Sequence, residues 1–239
     1  MERARVMASS KDLVSSVTPT RRTAVIKNPK VPLGAKGERT RRKILDATAE
    51  LLEARPYGQI KVSEIARSAD VVQPTFYTYF QSLEDVLLVL ARERNLDAIA
   101  PHFEPSWLGQ EGLEHVRAMV KAVTGHWREN FAIFNTTNLI ADQGNEAFGR
   151  ARLRQMRALL DGLESKVREA QASGRLDPGI QPRLGAQQAV ALMVAIGQQQ
   201  AHYESSGFNN MTVVDTSARM VHAITGGAAV GERPTPEEL

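Results

Sequence analysis

The sequence predicts an all-α fold, on three observations. Apolar residues recur at spacings of three and four in segment after segment. No stretch alternates apolar and polar residues for long enough to make a strand. Clusters of Gly, Pro, Asn and Asp punctuate the periodic segments at helical lengths. The 239 residues are 42% hydrophobic and 24% charged, enough to bury one large core or two small ones. Cysteine is absent, which excludes disulfide scaffolds, thiol catalysis and Cys-held zinc. The longest unbroken apolar run, Ala189–Ile196, is too short to span a bilayer. No apolar segment of a secretory signal follows the basic N-terminus, so a soluble, cytoplasmic chain is expected.

Residues 1–37 mix Ser, Thr, Pro, Gly and basic residues without period and are expected to form a flexible arm. Helical periodicity begins at Glu38, with Leu45, Ala49 and Leu52 on one apolar face, and Pro56 with Gly58 ends it. Short helices follow over Val62–Ser68 and Val72–Phe80, joined by the turn Ala69–Asp70–Val71. Asp70 is expected to take a left-handed conformation there, which Asp tolerates better than most residues. Ser82 suits the N-cap of a longer helix carrying Leu83, Val86, Leu87 and Leu90. Further helices are expected near 111–124, 125–140, 149–173, 181–206 and 211–225, and a loose tail from Gly226. The implied division is arm 1–37, an N-terminal unit 38–84, a helical body 85–225 and tail 226–239.

Charge is unevenly spread. Residues 1–43 hold twelve Lys and Arg against three acids, a local +9 in a chain whose total is +3, so the rest carries −6. A basic arm on an acidic body suits a polyanion, nucleic acid before membrane; the alternative is a solvated tail. Arg39, Arg41, Arg42 and Lys43 are expected in the first turn of a helix, where cations oppose the helix dipole and a phosphate would relieve them.

Two short helices joined by a three-residue turn behind a longer helix make a DNA-reading helix–turn–helix. Val62, Ile65, Ala66, Val71, Phe76 and Phe80 are its inward set. Gln73, Pro74, Tyr77 and Thr78 face outward; an amide there can grip adenine, and Pro or Thr can touch a thymine methyl.

Residues 39–90 resemble the DNA-binding domain of the tetracycline-repressor (TetR) family of bacterial regulators. The resemblance rests on Ile44-Leu45-Asp46-Ala47, Val62-x-x-Ile65-Ala66, Ala69-x-Val71 and Thr75-Phe76-Tyr77-x-Tyr79-Phe80-x-Ser82-x-Glu84. It implies phosphate contacts from Thr75, Tyr77 and Tyr79 and base reading by Gln73, Pro74 and Thr78. Lys61 and Ser63 are further backbone contacts. The chain departs from the family's habit at Pro56, Asp70, Val72, Pro74 and Leu83, differences that bear on which operator is read.

In the body, Leu153, Met156, Leu160, Leu163 and Val167 form a helix-packing seam, and Ala189–Ile196 is apolar nearly all round. The resemblance implies that two such helices per subunit build a homodimer interface, with Val190, Met193 and Val194 on the second; an intramolecular core is the alternative. A homodimer implies a pseudo-palindromic operator. Phe103, Trp107, Trp127, Phe131 and Phe134, with Asn135 and Asn138, are by the same resemblance the walls of an effector pocket; ordinary core is the other reading. Gly-rich phosphate loops, metal motifs and Ser/His/Asp sets are absent, so no enzyme, cofactor or metal is expected. The expected function is a ligand-responsive regulator, most simply a repressor binding double-stranded operator DNA and released by a largely apolar small molecule. A helix–turn–helix protein that serves as an interaction module without specific DNA binding is the alternative.

Overall fold

The computed structural model describes residues 34–226, and every described element is helical. Helix α1 spans Ala35–Ala54, α2 Val62–Ser68, α3 Gln73–Tyr79 and α4 Leu83–Glu93. Helix α5 spans Gly109–Glu129, α6 Phe131–Asp142, α7 Glu146–Gln155 and α8 Arg157–Ala172. Helix α9 spans Pro182–Gln198, α10 Gln200–Ser205 and α11 Asn210–Ile224. Tighter 3-10 segments, Tyr57–Gln59 and Asp97–Phe103, follow α1 and α4.

Several boundaries differ from expectation. Helix α1 starts at Ala35, so the last three residues of the expected arm are helical; residues 1–33 and the tail beyond Gly226 lie outside the described residues. The expected helix over 125–140 is two helices meeting at Asn130. Its Nδ2 donates to the His126 carbonyl at 2.9 Å, closing α5, and its own carbonyl accepts from Ile133 and Phe134 to open α6. The expected helix over 149–173 breaks at Met156. The Gln155 carbonyl there accepts the Leu96 amide at 3.2 Å, a bond an uninterrupted helix would not offer. Likewise 181–206 divides at Gln199 into α9 and α10.

Two apolar cores form. The first joins Ile44, Leu45, Ile65, Phe76, Phe80 and the α4 leucines to Ile133 and Ile140 of α6 and Phe148 and Ala151 of α7. The second gathers Met119, Val120, Trp127, Phe134, Leu163, Met193 and Val221 from α5, α6, α8, α9 and α11, with Trp107 from the loop before α5. Helix α4 belongs to the first core through all three of its turns, and the expected boundary at 84/85 falls in its first turn.

Candidate nucleic-acid interface and ligand-binding core

Helices α2 and α3 are held at a fixed angle by a turn that closes on itself. The Val71 amide donates to the Ala66 carbonyl at 2.9 Å, and Asp70 sits at φ +55°. This is the left-handed conformation expected of Asp70, whose carboxylate lies 3.6 Å from Lys43 Nζ on α1. Phe76 and Phe80, ring centres 5.9 Å apart, anchor α3 in the first core together with Ile65 and Ala66; Val62 and Val71 are half-buried against it. That anchoring leaves Gln73, Pro74, Tyr77 and Thr78 on the outer face, Tyr77 52% exposed, with Thr75 and Tyr79 half-buried at its margin. Pro74 occupies the first turn, where a missing N–H breaks no helical bond. Lys61 and Ser63 are exposed at the start of α2. The Lys61 amide donates to Glu64 Oε2 at 3.0 Å; this bond, with Arg55 beside it, holds the Glu64 carboxyl below the usual range.

At the start of α4 the expected Ser82 cap is present, its Oγ accepting from the Asp85 amide at 3.3 Å. Asp85 reciprocates: its Oδ2 accepts from the Gln81 amide at 3.0 Å. Ser82-x-x-Asp85 is the sequence signal of that reciprocal cap, and it fixes the loop between α3 and α4.

The basic residues of α1 require two corrections. Because α1 begins at Ala35, Arg39, Arg41, Arg42 and Lys43 stand in its second and third turns, beyond the reach of the terminal dipole, and the first turn holds the acid Glu38. Arg42 is also committed: its guanidinium is ion-paired with Glu93 at the far end of α4 and lies 3.7 Å from Asp46. Arg41 rests 5.7 Å over the Phe80 ring, and Arg39 is exposed.

In the body the expected aromatic set separates. Trp127 stacks on Phe134 at 4.7 Å, its other face against the bare backbone of Gly197 on α9. Phe103 and Trp107 pair at 5.1 Å. The Trp107 indole donates to the His102 carbonyl, and the Trp107 carbonyl meets His222 Nε2 at 3.0 Å. Lys166, buried, donates to the Pro105 carbonyl and pairs with Glu169 at 2.8 Å. Asn138 is buried, but Phe131 and Asn135 are exposed, contrary to their expected place on a pocket wall. The break at Asn130 interrupts the expected i, i+4, i+7 face: Trp127 and Phe134 still meet, while Phe131 between them is exposed. Gly197 also lines a cleft of about 10 Å³, with Thr124, Ile196, Tyr203 and Val213 among its other walls and room for about one water. Two polar atoms buried in this region, His126 Nε2 and Trp127 Nε1, have no hydrogen-bond partner among the described residues.

The expected dimer seam is also corrected. Met156, Leu160, Leu163 and Val167 are buried within the chain, as is Met193 on α9, while Val190 and Val194 are half-buried against the same core. Leu153 stands apart, 66% exposed. A 3-4-3-4 spacing shows that a stripe is covered, not what covers it, and here α9 and the Asp97–Phe103 segment cover it. Apolar side chains left outward in the body include Leu184 on α9 and Met211, Met220 and Ile224 on α11, besides Phe131 and Leu139 on α6 and Leu153 on α7.

Comparison with known proteins agrees with this geometry. Residues 44–90 match the family model described as bacterial regulatory proteins of the tetR family, and residues 102–231 match the tetracyclin repressor-like C-terminal domain. A 45-residue stretch is 56% identical to the HTH-type transcriptional regulator EthR of Mycobacterium tuberculosis, 18% of this chain and 21% of that one. A 51-residue stretch is 41% identical to the fatty acid metabolism regulator protein of Bacillus subtilis, 21% of this chain and 26% of that one. The chain thus spans about a quarter or less of these curated relatives. Solved structures cover more of it: the fatty acid degradation regulator FadR of Bacillus halodurans superposes with a TM-score of 0.59 at 19% identity, over 85% of this chain and 100% of that one. FadR of Bacillus subtilis, solved with stearoyl-CoA, gives 0.59 at 21% identity over 78% and 98%. With a C-terminal family model covering more than half its length and the helix–turn–helix model ahead of it, the chain belongs to the TetR family.

Proposed function

We propose that this chain is a ligand-responsive, DNA-binding transcriptional regulator acting as a repressor from the cytoplasm. The observation that carries the reading is the two-sidedness of α3. Phe76 and Phe80 are locked into a core shared by five other helices, while Gln73, Pro74, Tyr77 and Thr78 beside them are exposed. A helix so braced presents base-reading groups without the entropy cost of ordering them on contact. Thr75, Tyr77 and Tyr79 take backbone phosphates, with Lys61, Ser63, Arg39 and Arg41 flanking them. Arg42, tied to Glu93, serves the α1–α4 junction.

The homodimer face in this reading is formed by α9 and α11, where Leu184, Met220 and Ile224 are outward, in place of the buried α8 seam. The effector is a largely apolar small molecule that parts the rings around Trp127 and Phe134 and meets the unpartnered His126 and Trp127 nitrogens. Two structural relatives were solved with acyl-CoA ligands, stearoyl-CoA and lauroyl-CoA, which favours a long-chain ligand class. Effector and operator then weaken each other reciprocally through a shared conformational equilibrium.

Selection of the purified protein on random duplex DNA at two salt concentrations tests the reading. A palindrome that persists at the higher salt is expected. Gln73→Ala with Tyr77→Ala abolishes that enrichment while the dimer stays intact on a sizing column. Enrichment of nothing, with binding lost as salt rises, overturns it.

A further inference from the structure

Between the carboxyl end of α4 and the junction of α7 with α8 lies an open cleft of about 670 Å³, well apart in composition from the aromatic core. Arg92, Asn95 and Asp97 line one side; Arg154, Gln155 and Arg157 line the other. Arg92 and Arg154 have no carboxylate partner among the described residues, and Arg157 shares Asp161 at 3.4 Å. Burial and then the neighbouring Arg154 charge hold the Arg92 guanidinium below its ordinary value. Two neighbouring cations, neither ion-paired to a carboxylate, cost the fold energy that a bound anion would return.

Buried polar atoms at the same place have no partners. Gln155 is only 1% exposed, its Nε2 reaches the Arg94 carbonyl at 3.5 Å, and its Oε1 is without a hydrogen bond. Outside the lining, the Nε of Arg94, whose carbonyl Gln155 reaches, is also buried and unpartnered. Buried polar atoms in folded proteins are almost always satisfied, so each exception asks for a cause. Oε1 is an acceptor, and it calls for a hydroxyl or amine donor. The lining carboxylate of Asp97 calls for the same.

We infer that this cleft is a binding site for a phosphorylated small molecule of nucleotide size, with Arg92, Arg154 and Arg157 on its phosphoryl oxygens and Gln155 and Asp97 accepting from its hydroxyl or amine groups. Guanidinium forks suit phosphoryl oxygens, which accept two hydrogen bonds at once. The volume falls in the range of small-molecule sites and exceeds what one inorganic phosphate fills. The two kinds of recognition, cation for anion and buried acceptor for donor, together favour a phosphate ester over the bare ion. This site does not depend on the repressor reading, since its chemistry is complete without DNA.

Isothermal titration of the full chain without DNA, at 0.15 M salt, tests it with three probes: pyrophosphate, adenosine 5′-diphosphate and adenosine. The diphosphate is expected to bind at least tenfold more tightly than pyrophosphate, and adenosine not measurably. Arg92→Gln with Arg154→Gln is expected to weaken the diphosphate at least tenfold; both side chains are exposed, so the circular dichroism and melting curves should stay as in the parent. Diphosphate binding unchanged by the double substitution overturns the inference, as does pyrophosphate binding as tight as the nucleotide. A separate titration with duplex DNA supplies a third overturning result: a double variant that loses affinity for the duplex and keeps its affinity for the nucleotide would make the cleft a DNA-backbone contact. Because the nucleotide titration contains no operator, its failure leaves the random-duplex selection untouched, and the reverse holds as well.

Discussion

Replacing Gly197 by Ala should destabilise the protein, although Ala is the better helix former. Gly197 is buried on α9, and a Cβ built there falls 2.6 Å from Trp127 Cγ, 2.7 Å from Cδ1 and 2.8 Å from Cδ2. Carbon atoms rest about 3.5 to 4.0 Å apart, so the indole must retreat by about 1 Å. It cannot do so freely, because Phe134 is stacked on it at 4.7 Å and the ring is almost wholly enclosed. Overpacking of this kind costs about 1–3 kcal/mol. Gly→Ala in a helix interior returns about 0.5–1 kcal/mol. The net expectation is a loss of about 1–2 kcal/mol, read as a lower urea midpoint at fixed protein concentration with Trp fluorescence as the probe. Gly125 on α5 is the internal control: nothing lies within 4 Å of a Cβ built there, so Gly125→Ala should stabilise by about 0.5–1 kcal/mol. Midpoints that move in the same direction for both variants refute the argument, since helix propensity alone would then explain them.

Three further expectations follow from named contacts. Asp70→Val should cost more than about 1 kcal/mol in thermal unfolding, while Asp70→Gly should stay near the parent, because φ +55° is costly for a β-branched residue and free for glycine. Asp85→Ala removes the acceptor for the Gln81 amide and should cost about 1–2 kcal/mol by urea unfolding, with a parallel fall in DNA affinity because the α3–α4 loop loosens. Arg219 and then Arg117 hold the Asp215 carboxyl below its usual range, and Arg117 does the same for Glu114. Carboxyls lowered in the fold stabilise it above their unfolded values and lose that contribution as pH falls through the folded ones. The melting advantage of the parent over Arg117→Gln should therefore be present at pH 7 and shrink below about pH 4.

The helix–turn–helix was readable because its punctuation is local. Asp70 marks the left-handed turn, Pro74 sits where a first helical turn accepts it, and Ser82 caps α4 from one position before it. The breaks in the body were not readable, because their causes are distant in sequence. Met156 interrupts α7 and α8 so that Gln155 can accept from Leu96, and Asn130 turns the chain with an amide that an uninterrupted helix would also tolerate. Periodicity marked Leu163, Val167, Trp127 and Phe134 as covered and could go no further, since apolar spacing is the same against a partner subunit, a ligand or the chain itself. The pairing of Arg42 with Glu93, 51 residues away, and the close fit of Gly197 to Trp127 leave no local signature at all.

Helix α6 is where the two cores meet, and its sequence explains how the body is packed to the helices that hold α3. Ile133 and Phe134 are adjacent residues that point into different cores: Ile133 joins Ile44, Phe76 and the α4 leucines, and Phe134 joins Trp127, Met119 and Met193. Successive residues on a helix diverge by about a quarter turn or more, so a helix lying along the seam of two cores must contribute side chains to both. Helix α4 completes the route. Val86, Leu87, Leu88, Leu90 and Ala91 are all buried, which leaves it almost no solvated side and no room to move independently of α1, α6 and α7. Packed interiors are close to crystalline density and pass displacement on to their neighbours without absorbing it. Under the proposed function, an effector that separates Trp127 from Phe134 would act on α6, and through Ile133 and Ile140 on the core that anchors Phe76. The Glu93–Arg42 pair fastens the far end of α4 to α1, so a displacement of α4 is carried into the helix that braces the reading head. The same helix carries Arg92 in its last turn, on the lining of the arginine cleft.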